Sequence, residues 1–150
     1  MKKLLLVAVA LFAGHALLGI YQGSPTRSAS SAISEEGTTS SDGLIARAFS
    51  NRETHLQVSG EGVVAKLLSD DDRGSRHQRF IVKLPSGQTL LIAHNIDLAS
   101  RVESLREGDS VRFFGEYEWN EKGGVIHWTH RDPRGSHIAG WLEHNDHRYQ

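Results

Sequence analysis

The sequence predicts a mainly β fold: a small five-stranded barrel with one or two short helices, preceded by an export segment and a flexible linker. Three observations lead there. Segments of strict apolar–polar alternation recur between His55 and His130, with turn-forming clusters between them. The first segment is interrupted by Gly60-Glu61-Gly62, as expected of a strand that bends to serve both halves of a closed sheet. A helical stripe falls between the third and fourth segments.

Lys2 and Lys3 precede an apolar run from Leu4 to Tyr21, 18 residues long. A basic start followed by such a run is an export signal, and Gly14-His15-Ala16 offers small residues at a cleavage position. Residues 1–21 are therefore read as a signal peptide or an N-terminal anchor in the inner membrane, with the body periplasmic or secreted. Membrane contact is expected only through this segment, if it is retained. The chain has no cysteine, which removes a lipid anchor, a disulfide scaffold, a thiol nucleophile and any Cys-based metal centre. Residues 22–42 hold ten Ser or Thr in 21 positions and read as a tether.

The domain occupies residues 43–150. Asp42 is expected to cap a short helix carrying Leu44, Ile45, Ala48 and Phe49. The first strand runs from His55 to Leu68, and Ser69 to Ser75 form a turn whose acidic run reads as a solvated loop. A hairpin follows, with Phe80, Val82 and Leu84 inward, a turn at Pro85-Ser86-Gly87, and Thr89 to His94 returning. Asp97 is expected to cap a second helix carrying Leu98, Val102 and Leu105. The fourth strand is Ser110–Trp119, the fifth Val125–His130, and Pro133 stops it. Trp141 and Tyr149 are expected in a final short pair over one end of the core. This order, with a helix between strands three and four, is that of an OB-like barrel.

Burial selects the register of the last hairpin. Setting Trp119 opposite Ile126 places Tyr117 against Trp128 and Gly115 against His130, apolar against apolar. It buries His130 in the space beside Gly115. It leaves Glu116, Glu118, His127 and Thr129 together on the outer face, with His127 opposite Glu118.

The segments HQRF (77–80), GQTLLIAHNIDLA (87–99), GEYEWNEKGGVIHWTH (115–130) and the closing GW…H…YQ resemble a family of short exported bacterial proteins classed as a domain of unknown function. The resemblance spans about residues 55–150. It implies an exported small β domain and brings no catalytic residues with it.

Residues 43–150 carry 14 Lys and Arg against 15 Asp and Glu, together with eight of the nine histidines. A near-neutral domain lacks the cationic field that non-specific nucleic-acid binding requires. There is no phosphate-binding loop, and Ser75 and Ser86 have no histidine partner in sequence. The aromatics Tyr117, Trp119, Trp128 and Trp141 read as core packing more than as a stacking platform.

Two side-chain groups remain. Arg79, Lys83, Glu116, Glu118 and His127 point outward and suit a polar envelope ligand, a glycan or oligomer, held by a binding module. Within that group Glu116, Glu118 and His127 also have the types and i, i+2 spacing of a divalent-metal or acid–base site. His130, Asp132 and His137, with His94, form a second candidate set for zinc or iron. The alternative function is thus a metal-dependent hydrolase, acting on a phosphodiester. A third reading, a pH-responsive envelope protein, rests on histidine content alone.

Overall fold

A computed structural model describes residues 33–150. The expected export segment, residues 1–21, and the first part of the linker, residues 22–32, lie outside the described residues. Among the described residues no helix is long and apolar enough to cross a membrane.

Helix α1 spans Ile33–Asn51, so it already covers the second half of the Ser/Thr-rich stretch. Asp42 is therefore not its N-cap. The Asp42 carboxylate instead accepts bonds from the Ser86 amide (2.7 Å) and the Ser86 hydroxyl (2.8 Å), tying the helix to a hairpin turn. Ile45 and Ala48 are fully buried against the barrel, as their spacing predicts.

Strands β1 (Leu56–Leu67), β2 (His77–Lys83), β3 (Thr89–Asn95), β4 (Ser110–Glu118) and β5 (Val125–His127) close in the order β1-β2-β3-β5-β4, with β4 pairing back onto β1. This is the predicted five-stranded OB-like barrel. β1 does serve both halves: residues 56–63 pair with β4 and residues 63–67 with β2, with a register shift between Val64 and Lys66. Gly60 permits this, since a Cβ there would come within 2.5 Å of the buried Phe113 ring. β6 (Trp141–His144) adds to β4 beyond β5, and β7 (His147–Tyr149) folds back on β6 as the expected final pair. The core is Val58, Val64, Phe80, Val82, Leu90, Ile92, Phe113, Tyr117, Ile126 and Leu142, sealed by α1 and by Val102 and Leu105.

Further expectations are corrected. The stretch between β3 and β4 forms turns rather than a helix. The buried Gln78 amide donates to the Val102 carbonyl and accepts from the Val102 amide (3.0 and 2.9 Å), taking the backbone groups a helix would use. Asp97 likewise accepts from the Arg76 amide instead of capping.

The β4–β5 register differs by two residues from the one expected. Tyr117 opposes Ile126, Glu116 opposes His127 and Glu118 opposes Val125. Trp119 leaves the sheet, stacks on Phe49 with ring centres 6.5 Å apart, and donates from Nε1 to the Phe49 carbonyl. A two-residue slip preserves faces, so the inward and outward assignments along β4 and β5 stand.

Alternation then fails after His127. Trp128 takes a left-handed backbone, φ 51°, which ends β5. Thr129 becomes fully buried and Trp128 half-buried. The methyl of Thr129, with Ile126, fills the space beside Gly115 that the sequence assigned to His130.

Asp42→Ala should lower stability by about 1–2 kcal/mol, because it orphans a partly buried amide and hydroxyl. Adding Ser86→Ala to it should cost little more. Urea midpoints of the two variants measure this.

Candidate functional site

β4 is paired on both edges, by β1 on one side and by β5 and β6 on the other. Its outer side chains therefore project from a rigid strand, and Glu116 and Glu118, two residues apart, point the same way. Their side chains are only 13% and 24% exposed.

Three imidazoles converge on them. His55, just before β1, has its Nδ1 3.0 Å from Glu116 Oε1 and 2.7 Å from Glu118 Oε1. β1 and β4 pair Leu56 with Tyr117, so barrel closure brings His55 to the carboxylates. His127 on β5 has its Nε2 3.6 and 3.8 Å from the same two oxygens. His137, from the loop between β5 and β6, sets its Nε2 2.6 Å from Glu116 Oε2. His55, Glu116 and Glu118 offer ligand atoms that all lie within 4.8 Å of one another.

The electrostatics follow from these contacts. Burial alone would raise the Glu116 pKa. Hydrogen bonds from His55 and His137 and the nearby His127 overcome it and hold the carboxyl at about 2. The bond to Glu116, with Glu118 adding, raises the His55 pKa. Burial opposes protonation of His137, yet the bond to Glu116 leaves its pKa raised. Burial dominates at His127 and lowers its pKa despite the two carboxylates.

Two polar atoms in this region are buried without a hydrogen-bond partner: Nε2 of His127 and Nε2 of Gln57. Gln57 lies directly opposite Glu116 on β1, as His127 does on β5. Two non-glycine residues with left-handed backbone also border the site, His55 at φ 56° and Trp128 at φ 51°. Such strain persists only where surrounding contacts impose it. The Trp128 ring lies parallel to that of His137, 4.0 Å away, and orients it toward Glu116.

The expected ligand-binding group divides. Glu116, Glu118 and His127 do share one face. Arg79 and Lys83 stand on β2, which is not adjacent to β4 in the barrel. Arg79 donates to the Ser69 carbonyl at 3.0 Å and lies 3.7 Å from Asp71; Lys83 is exposed.

The second candidate set is drawn to separate tasks. His94 is fully buried, with Nδ1 2.8 Å from the Thr129 hydroxyl and Nε2 donating to the Ser100 carbonyl. His130, buried as expected, donates to the Arg131 carbonyl. Asp132 accepts from the amides of Arg134, Ser136 and His137 and from the Ser136 hydroxyl, and these bonds keep its carboxyl well below the usual range. It shapes the loop that delivers His137 to Glu116.

Sequence reasoning named four of the five residues, with His137 grouped with His130, Asp132 and His94. His55 was within reach, since closing the barrel through β1 and β4 sets it beside Glu118. The meeting of His137 with Glu116 was not, because a loop carries no register. A polar cleft of about 530 Å³ elsewhere, lined by Asp109, Arg112 and Glu143 among others, is internally paired: Arg112 and Arg148 engage Glu143, and His144 engages Asp109.

A family model described as "Protein of unknown function (DUF3465)" matches residues 28–150. The chain belongs to this family. The matched span contains the whole barrel and all five residues of the cluster. No curated protein matches the chain. In this chain the matched domain is a small closed β barrel whose outer β1–β4–β5 face carries a histidine–carboxylate cluster.

His94 makes a pH-dependent contribution to the fold. Burial pushes its pKa from 6.5 down to about 4. Between those values the unfolded chain binds a proton that the folded one refuses. Stability should therefore be full above pH 6.5 and fall on acidification toward pH 4, by roughly 3 kcal/mol from this residue. Unfolding free energies across that range should show a slope that His94→Gln reduces.

Proposed function

We propose that this domain is a binding module that works through the outer face of β1, β4 and β5. Its ligand is polar, a glycan or an oligomer of the cell envelope. One observation carries the reading: Glu116 and Glu118 lie between His55, His127 and His137, with partnerless nitrogens on Gln57 and His127 to either side. Carboxylate acceptors beside amide and imidazole nitrogens match the vicinal hydroxyls of a sugar, each of which donates and accepts one bond. The near-neutral charge of the domain favours a polar, uncharged ligand over a nucleic acid. The envelope location rests on the N-terminal export segment, residues 1–21, and that segment remains a proposal of the sequence.

A second reading, a metal-dependent hydrolase of phosphodiesters, draws on the same residues. It is favoured by His127 Nε2, a partnerless imidazole nitrogen within 4 Å of two carboxylates, which is acid–base machinery in kind.

Amide spectra of the isotopically labelled full chain, titrated with soluble cell-wall oligosaccharides, test the first reading. Shifts confined to Gln57, Glu116, Glu118, His127 and the 128–137 loop are expected. Shifts centred on Arg79 and Lys83, or none, would refute it. Steady turnover of bis(p-nitrophenyl) phosphate, lost in Glu118→Gln, would favour the hydrolase instead.

A further inference from the structure

We infer that His55, Glu116 and Glu118, flanked by His127, form a binding site for a first-row divalent metal of the zinc class. The inference rests on the reading that this cluster is the working face of the domain, and adds a metal ion to that face.

The donor set is the first argument. One imidazole and two carboxylates, with a second imidazole beside them, are ligands of intermediate hardness, suited to zinc and its neighbours and unlike the all-oxygen cages of calcium or magnesium. The spacing is the second. Four ligands, each about 2.1 Å from a tetrahedral zinc ion, sit about 3.4 Å from one another. Here His55 Nδ1 lies 2.7 Å from Glu118 Oε1 and 3.0 Å from Glu116 Oε1, and the donor atoms of these three residues all lie within 4.8 Å of one another. His127 Nε2 flanks them, 3.6 and 3.8 Å from the same two oxygens.

The third argument is His127 itself. Its Nε2 is buried and bonds to nothing, although an imidazole nitrogen out of water normally finds a partner. A metal beside the carboxylates would supply one. His137 completes the arrangement from outside. It holds the far oxygen of Glu116 at 2.6 Å, leaving Oε1 toward the other donors. An outer group that orients a ligand in this way is common around metal sites. His55, 75% exposed, sits on the solvent side and leaves an entry path.

The test is a zinc titration of the untagged full chain after stripping with a chelator, followed by calorimetry and by the visible spectrum with cobalt as a zinc substitute. One ion per chain is expected, together with the intense absorption of four-coordinate cobalt. His55→Ala and Glu118→Gln should each weaken binding about tenfold or more and abolish that absorption. His147→Ala, a surface control, should change neither. Circular dichroism of each variant separates loss of the site from loss of the fold, and exposed His55 makes its substitution the safer of the two.

Absence of stoichiometric uptake would overturn the inference, as would uptake that His55→Ala and Glu118→Gln leave unchanged. Repeating the oligosaccharide titration in chelator distinguishes the two readings. Saccharide shifts without any zinc uptake would sink the metal site alone. Zinc uptake without saccharide shifts would support the metal and remove the glycan.

Discussion

β4 is bonded along both edges, and that constraint governs the rest of the molecule. Eight residue pairs join it to β1, while β5 and β6 follow one another along its other side. A strand so held cannot twist away or slide, so its alternation becomes permanent. Val111, Phe113, Gly115 and Tyr117 are committed to the interior, and Arg112, Phe114, Glu116 and Glu118 to the outside. Two carboxylates on parallel bonds cannot separate to relieve their repulsion. The neighbouring elements bring three imidazoles to that place.

The way the partners arrive explains the irregular parts of the chain. His55 lies where α1 has ended and β1 has not begun, and it adopts a left-handed backbone there. Trp128 does the same where β5 stops, throwing out a loop before β6 resumes the pairing along β4. That loop is not slack. Asp132 gathers three of its amides, and the Trp128 ring lies flat against His137. Backbone strain of order 1–3 kcal/mol at each such residue is tolerable only if surrounding contacts outweigh it. The contacts that do so here are those that point His55 and His137 at Glu116.

The histidines divide by environment. His94 and His130 serve the core and its edge through hydrogen bonds to a hydroxyl and to backbone carbonyls, and His144 sits buried against Asp109. His55, His127 and His137 serve the carboxylates. Composition counts all of these alike. Only burial and the identity of the nearest acceptor separate a histidine that fills space from one that can hold a ligand.

Short-range periodicity, read from the sequence by itself, determined the number and order of strands, the barrel class, the inward and outward faces of β4, and the pairing of Glu116, Glu118 and His127 on one side. These follow from the two-residue repeat of a strand, which is a local property of the chain. The tertiary structure alone decided what depends on distant partners. It decided that Gln78 occupies the backbone of Val102 and forestalls a helix. It decided that Trp119 leaves the sheet for Phe49 and moves the register by two, and that Arg79 and Lys83 belong to another side of the barrel. It also brought His55 and His137 to the carboxylates from 61 and 21 residues away along the chain. Such contacts are fixed when the barrel closes and a loop folds over it, and no repeat along the sequence encodes that closure.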